Sequence, residues 1–490
     1  MFHGDESHTG IAVGTGKIDP ASGPKVIAEF RIFDSLGAAD LGLLRWTSTF
    51  ALGDVNGDGA DDIIATTPDW AEPLVPRADG APLTDGVVAL TYVDGRLQPM
   101  WRWVSDLPPG EAGLDTYSPA LVDADGDGLL DVVFTARDGF VRALSGLTGE
   151  VIWDFDMGRI TEAGPMLSDL DGDGVPEVIV VTDCPQGPIC EGPDGQALLI
   201  VLASQAVGRV SAPLWEMDYG YKMDSAEPAI AVVPGVDSPG NKVVLVGTWG
   251  GELLAVWRDA SGEVRNTPFS LVSLLPETGH GNPPVIRSSP VVVADTARPE
   301  VFFGWLPSDE DAADARFTAL RLSSANGAVQ FDPVFSIDRY DIWKSSPALV
   351  TSAHDEGSLI VAGYGLGIGP NPTQSGPVGL CIDEFLSGGV VAVAPDGSEA
   401  WSRDYEGTEG NIRASAAVAD IDGDGRLEVV LPSGCSGRLH AFDGLTGDEE
   451  WSLDLGPVTQ TSPSIGDIDG DGHLEIVIGS YDGLIRVLGA

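Results

Sequence analysis

The sequence predicts an all-β chain folded as a single ring of repeated four-stranded units. Three observations carry that expectation. The 64 Gly and 35 Pro among 490 residues demand many turns, and no long amphipathic helical run interrupts them. One phrase recurs eight times, which turns a length suggesting about three domains into one architecture. Each copy also breaks into short β-branched runs separated by turn residues.

Aligned on the first Asp of DIDGDG, the copies fall at Asp54, Asp123, Asp169, Val232, Ala294, Thr351, Asp420 and Asp467. Each opens with a short apolar run, often after Ser-Pro, as at 118–119, 289–290, 346–347 and 462–463. A β-branched strand follows, such as DVVFTA, EVIVVT, KVVLVG or EIVIGS. Next comes a strand ending in a small residue, then a Gly-containing turn and an aromatic strand such as EVIWDF or EEWSLD. Four short strands per repeat describe one blade of a β-propeller. A lone blade cannot bury its two faces, so the blades must ring a central channel. They are expected to start near 48, 118, 164, 227, 289, 346, 414 and 462. The rim residues Trp153, Trp401 and Trp451 are expected to pack between neighbouring blades.

The last copy stops after three strands. The missing strand is found at the other terminus, where IDPASGPKVIAEF (18–30) matches FDGLTGDEEWSLD (442–454). The match sets Asp19 on Asp443, Gly23 on Gly447 and Ile27 on Trp451. Residues 18–47 therefore supply a closing strand and link, beside GLIRVLGA, that leaves neither edge open. The propeller is expected to occupy 18–490, after a flexible segment at 1–17. The count gives eight blades, or seven if one degenerate copy is not a blade.

Charge narrows the partners. With 75 acidic and 26 basic residues the net charge is -49, which argues against nucleic acid and anionic membranes. No apolar stretch of about 18 residues predicts a transmembrane helix, so no membrane insertion is expected. The N-terminus MFHGDESHTG lacks a basic-then-apolar signal pattern, as expected of a mature or trimmed product or of a chain not exported by that route.

Five copies carry a D-x-[DN]-x-D-G-x-x-[DE] loop: DVNGDGADD, DADGDGLLD, DLDGDGVPE, DIDGDGRLE and DIDGDGHLE. Carboxylates at positions 1, 3 and 5 can curl around one hard cation. Gly at position 6 permits the turn, position 7 offers its carbonyl, and position 9 closes the shell. Such an oxygen-only set suits Ca²⁺. An EF-hand would need a Glu at position 12 and flanking helices. Position 12 is Ala65, Phe134, Val180, Leu431 or Ile478, and strand-like sequence follows each loop.

With the strands that follow them, EVVLPSG and EIVIGSYDG, the loops resemble the FG-GAP/VCBS repeats of integrin-α-like propellers. ALSGLTGEVIW and AFDGLTGDEEW resemble the rim motif of PQQ-type quinoprotein propellers. The resemblance covers nearly the whole chain from about residue 18. It implies a calcium-stabilised extracellular propeller used for adhesion or partner binding. By motif match the implied ligands begin with Asp54, Asn56, Asp58, Ala60 and Asp62, then Asp123, Asp125, Asp127, Leu129 and Asp131. The third loop would use Asp169, Asp171, Asp173, Val175 and Glu177. Asp420, Asp422, Asp424, Arg426 and Glu428 form the fourth set, and Asp467, Asp469, Asp471, His473 and Glu475 the fifth. Ala60, Leu129, Val175, Arg426 and His473 contribute through their carbonyls. Copies four to six (VPGVDSPGN, ADTARPE, TSAHDEGS) depart from the pattern, and no calcium is expected there.

In a blade, the first–second and third–fourth turns share one face, so the metal loops lie together. Large insertions at 67–86, 183–196, 306–316 and 364–389 fall on the other face, where binding is expected. Four Cys can pair three ways. Cys184 and Cys190 share a loop, while Cys381 and Cys435 occupy corresponding loops of adjacent blades. Those two pairs are the expected disulfides, with free thiols as the alternative, and they imply an oxidising compartment. The chain is thus placed extracellularly, at the cell surface or in the periplasm.

Seven residues before the aligned position, at the channel mouth, three consecutive blades supply Arg287, Lys344 and Arg413. These could form an arc for an anionic glycan or protein ligand, or pair with acids such as Glu406 or Asp341. The favoured function is a non-enzymatic binding module. The first alternative is a lyase-like polysaccharide enzyme drawing on that arc with Tyr340, Tyr405 or His280. The second is a PQQ-type dehydrogenase, although the adjacent Cys–Cys pair of that family is missing. No Ser-His-Asp, H-E-x-x-H or phosphate-loop spacing appears.

Overall fold

A computed structural model describes residues 18–31, 49–67, 86–104, 118–136, 138–159, 161, 163–182, 197–219, 228–248 and 250–275. It further describes 284–286, 288–294, 298–307, 315–337, 345–351, 357–365, 387–410, 412, 414–433, 436–456, 461–480 and 484–490. These residues form eight antiparallel sheets in a ring, one per sequence copy.

Strands are counted outward from the channel. Blade 1 comprises Ala51–Gly53, Asp62–Thr67, Gly86–Val93 and Arg96–Val104. Blade 2 comprises Ala120–Val122, Asp131–Thr135, Phe140–Leu144 and Val151–Asp156. Blade 3 runs Met166–Ser168, Glu177–Val181, Leu198–Ala203 and Trp215–Asp218. Its third–fourth connection also lays Gly208–Arg209 parallel to the outer edge of blade 2. Blade 4 is Ala229–Val232, Lys242–Gly247, Glu252–Arg258 and Val264–Ser270. In blade 5 the inner strand comes in two pieces, Val285–Ile286 and Val291–Val293, before Glu300–Leu306, Arg316–Ala325 and Ala328–Ile337. Blade 6 is Ala348–Thr351, Ser358–Gly365, Ser387–Val393 and Glu399–Glu406, and blade 7 is Ala417–Ala419, Glu428–Ser433, Arg438–Asp443 and Glu449–Asp454. Blade 8 takes Ser464–Gly466, Glu475–Gly479 and Leu484–Gly489 from one end of the chain and Lys25–Arg31 from the other.

The second strands are near-continuous apolar runs because a neighbouring blade covers each of their faces. Glu177–Val181 and Glu475–Gly479 are buried along their whole length. The core accordingly divides into eight large apolar clusters, one per pair of neighbouring blades. One cluster joins Ile63 and Leu90 of blade 1 to Val477 and Val487 of blade 8, which closes the ring.

Polar contacts mark the same seams. The Ser415 amide donates to the Ser462 hydroxyl, and the Ser346 amide to Ser415, both at 2.9 Å. Ser289 donates to Ser346 at 3.2 Å and Thr49 to Ser118 at 3.0 Å, so the recurring Ser-Pro serines form links between blades near the channel. At the rim the aromatic strand docks onto the next blade. Trp401 donates its indole N–H to Gly444 O at 3.0 Å, Trp101 to Gly146 O at 2.6 Å and Trp153 to Ser204 O at 2.7 Å. The TG turn must be bare for this. Gly447 has φ +68, and a Cβ there would come within 2.4 Å of the Trp401 ring; Gly149, at φ +73, would come within 2.6 Å of Trp101.

Strand pairing corrects three sequence alignments by one residue. Ala28, not Ile27, takes the place of Trp451: Ala28 pairs with Val487 as Trp451 pairs with Ala441. The closing strand carries one residue more than expected between its glycine and that position. In blades 4 and 6, Val232 and Thr351 still belong to the inner strand, opposite Lys242 and Ser358, so the loop begins one residue later.

Replacing Trp401 by Ala removes a buried indole and its hydrogen bond to the next blade. Denaturant unfolding is expected to show a loss of about 3–5 kcal/mol, and a loss below about 1 kcal/mol would contradict the docking role.

Candidate metal centres

Each acidic loop joins a three-residue or longer inner strand to the second strand, and its acids are bound first to its own backbone. In blade 2, Asp123 Oδ1 accepts from Gly126 N at 2.6 Å and Oδ2 from Gly128 N at 3.0 Å. Asp125 accepts from Asp127 N at 3.0 Å and Asp127 from Leu129 N at 2.8 Å. The same pattern recurs at Asp54, Asp169 and Asp420, while at Asp467 only Oδ2 accepts, from Gly472 N at 2.9 Å. Asx turns of this kind curl the backbone so that positions 1, 3 and 5 face one point.

Four loops gather three acids whose ligand atoms all lie within 4.8 Å of one another. They are Asp123, Asp125 and Asp127; Asp169, Asp171 and Glu177; Asp420, Asp422 and Glu428; and Asp467, Asp469 and Glu475. The loop at 54–62 is not among them. Its third position is Asn56, whose side-chain amide donates to Asp62 at 3.1 Å.

The ninth position separates into two behaviours. In every acidic loop its carboxylate accepts the amide of position 2: Val55, Ala124, Leu170, Ile421 and Ile468, at 2.6–3.2 Å. Aspartate at position 9 is used up by such bonds, since Asp131 also takes Gly146 N at 3.0 Å. Glutamate is one methylene longer, and Glu177, Glu428 and Glu475 join the acid groups. Burial pushes Glu428 up to about 9, aided by Glu450, Asp422 and Asp420 and opposed by the Ile421 amide. Glu475 rises to about 8 and Glu177 to about 7 for the same primary reason, each with its loop's three aspartates adding to the effect.

The donor set fits a hard cation. It is all oxygen, and two of its oxygens, Glu428 Oε1 and Asp467 Oδ1, are buried with no hydrogen-bond partner among the described residues. A buried carboxylate oxygen without a partner is costly unless a cation or proton satisfies it. These acidic groups could therefore hold metal ions.

Blades 4 and 5 meet the same corner with cations of the chain. Lys242 stands at the ninth position of blade 4 and donates its ammonium to the Asp169 carbonyl of blade 3. Glu300 of blade 5 accepts from Arg321 at 2.6 and 2.9 Å. Sequence spacing gave no sign of either contact, because each partner comes from another strand or blade.

Other expected site residues lie outside the described residues: Arg287, Lys344, Arg413, Tyr340, His280, Cys184, Cys190, Cys381 and Cys435. Tyr405 is described, and its position counters a role at the channel. It sits on the outermost strand of blade 6, its ring 5.1 Å from that of His440. His440 itself lies 3.2 Å from both Ser433 Oγ and Glu449 Oε1, an arrangement with the order of a nucleophile, base and acid. Ser433 is fully buried and bonded to Arg438 O, out of reach of any substrate. Blade 8 fills the same two positions with Ser480 and Arg486, also hydrogen-bonded, so the pair packs a seam between blades.

No family model matches the chain, and no curated protein matches it. Solved structures do. BamB from Moraxella catarrhalis is 15% identical, with 95% of this chain and 100% of that chain covered and a TM-score of 0.50. A quinohemoprotein alcohol dehydrogenase from Comamonas testosteroni is 11% identical over 98% of this chain and 78% of its own, with a TM-score of 0.58. A europium-containing methanol dehydrogenase is 12% identical over 91% and 93%, with a TM-score of 0.53. At these identities the likeness establishes the fold: this chain is an eight-bladed β-propeller of the same general architecture.

Proposed function

We propose that the protein is a calcium-stabilised propeller that binds a protein or glycan partner through the face opposite its metal loops. The observation that carries this reading is the set of four acid groups at the same corner of blades 2, 3, 7 and 8, with buried carboxylate oxygens left unpartnered at Glu428 and Asp467. FG-GAP/VCBS-type repeats are the family these loops resemble, and a fifth ion at Asp54, Asn56, Asp58 and Asp62 belongs to the same proposal. The opposite face follows from connectivity. The insertions at 67–86, 183–196, 306–316 and 364–389 each join a second strand to a third, at the ends remote from the metal loops. An extracellular or periplasmic setting suits both the calcium and the two proposed disulfides. No helix among the described residues is long and apolar enough to cross a membrane.

Calcium binds the folded chain and not the unfolded one, so filling each site at 100 times its Kd adds about 2.7 kcal/mol. Chelation by EDTA is expected to lower the melting temperature sharply, and re-addition of Ca²⁺ to restore it. An unchanged melting curve would remove calcium from the account.

The acid groups also set a pH dependence. Glu177, Glu475 and Glu428 are held above their ordinary 4.5, at about 7, 8 and 9. Without metal, each carboxyl binds its proton more tightly folded than unfolded, so stability falls as pH rises from about 4.5 through those values. A bound cation replaces the proton and reverses the loss. The rise in melting temperature produced by Ca²⁺ is expected to be small near pH 5 and large near pH 9. Equal rises at both would contradict it.

A glycan array read with Ca²⁺ and with EDTA tests the binding role, and an absorbance scan tests for a bound quinone. If an acidic glycan binds, changing Arg287, Lys344 and Arg413 to Gln together is expected to abolish that binding. Unchanged affinity would discard the arc at the channel mouth.

A further inference from the structure

We propose that Glu450 makes the blade 7 loop a distinct, tighter class of Ca²⁺ site by lending it a carboxylate from the fourth strand. The proposal rests on the calcium reading above and concerns a residue outside the repeated loop.

A β-bulge creates the opportunity. Phe442 pairs with Glu449 and Ala441 with Trp451, so Glu450 is the extra residue between them. A bulge re-aims the side chain of its extra residue. The same bulge occurs at the outer strand of other blades, where the extra residue is Ile27, Met100, Ile152, Val334 or Ala400. All five are uncharged and apolar. Blade 7 alone among these bulges places a carboxylate there.

In blade 8 the bulge residue lies beside the ninth-position glutamate: a Cβ on Gly489 would stand 3.0 Å from Ile27 Cδ1 and 3.3 Å from Glu475 Cγ, and Glu450 and Glu428 hold the corresponding places in blade 7. Glu428 is fully buried; its Oε2 takes the Ile421 amide at 2.7 Å, and its Oε1 has no hydrogen-bond partner among the described residues. Glu450 Oε2 is buried without a partner in the same way. Arg426, a cation of the same loop, bonds Asp443 at 2.9 Å. Carboxylate oxygens buried without a partner, one on Glu428 and one on Glu450, call for a further positive charge. Blade 7 also holds the one of these four acid groups in which none of the three acids is exposed. Affinity for Ca²⁺ rises with ligand charge, and Glu450 would add one carboxylate to this loop's set.

The test is a chelator-buffered Ca²⁺ titration of the full chain by calorimetry, on wild type, Glu450→Gln and Glu450→Ile. Wild type is expected to show one site tighter than the rest. Glu450→Gln should weaken that site by about 10- to 100-fold and leave the others in place, with the same total stoichiometry at saturation. Glu450→Ile inserts the residue that blade 8 carries at its own bulge, Ile27, and is expected to give the same loss. It also serves if Gln still coordinates through its carbonyl. If both variants keep the wild-type tight site, Glu450 is not a ligand of the ion and the proposal is overturned. A wild-type chain that takes up no Ca²⁺ would instead overturn the calcium reading itself, and this inference with it.

Discussion

Every blade here is a sheet with two apolar faces, and only its neighbours can cover them. Val178 and Val180 of blade 3 point into the cluster shared with blade 2, while Ile179 and Val181 point into the one shared with blade 4. Nothing in such an arrangement is stable until the ring closes, so the junction between blades 8 and 1 bears on all the others. Three kinds of contact secure it. The strand Lys25–Arg31 completes blade 8 against Leu484–Gly489. The backbone of Asp61 donates to Asp467 O at 2.8 Å while its carboxylate accepts the Asp467 amide at 3.1 Å. Ser464 Oγ donates to Phe50 O at 2.8 Å. Asp467 is also the first acid of the blade 8 loop. The corner that can hold an ion is thus the corner that the next blade grips.

That coupling is general. The Lys242 ammonium reaches the Asp169 carbonyl from the next blade, Gln205 reaches the Asp123 carbonyl at 3.3 Å, and Ile18 N reaches the Ile421 carbonyl at 3.1 Å. In each case a following blade binds the first or second residue of an acidic loop. An ion that fixed the loop would fix the acceptor for the neighbour as well. The loops also reach the apolar core directly, since their second residues Val55, Ala124, Ile421 and Ile468 are buried members of its clusters.

Much of this was legible in the chain because it repeats. Copy number, strand order and the closing strand follow from spacing and from Gly and Asp in the turns. Register was not legible, because a bulge adds a residue that leaves no mark on the apolar pattern. Ile27 was expected where Ala28 stands for that reason. Glu450 was hidden by the same device, since it reads as one more polar residue before Trp451. The acid loops were visible as a set, yet the distinction between Asp131, spent on Ala124 and Gly146 amides, and Glu428, free at one oxygen, depends on a single methylene. The cations of blades 4 and 5 come from other strands or blades, so no local spacing could announce them.

Position 9 of the repeat shows what the corner requires. Around the ring it reads Asp62, Asp131, Glu177, Lys242, Glu300, Ser358, Glu428 and Glu475, each paired with the last residue of the inner strand. In five blades this residue accepts the amide of loop position 2, which ties the loop to the second strand. Once a carboxylate is buried there, its charge must be balanced. Blade 5 balances Glu300 with Arg321, at 2.6 Å. Blade 4 inverts the charge and spends Lys242 on a neighbour's carbonyl. Blades 3, 7 and 8 have no such basic partner bonded to their Glu177, Glu428 or Glu475 among the described residues, and in these blades the glutamate itself joins the aspartates of positions 1 and 3 in one group. An internal cation and an acidic loop are therefore alternative answers to one buried charge, and the loops that lack the first could hold an ion from outside.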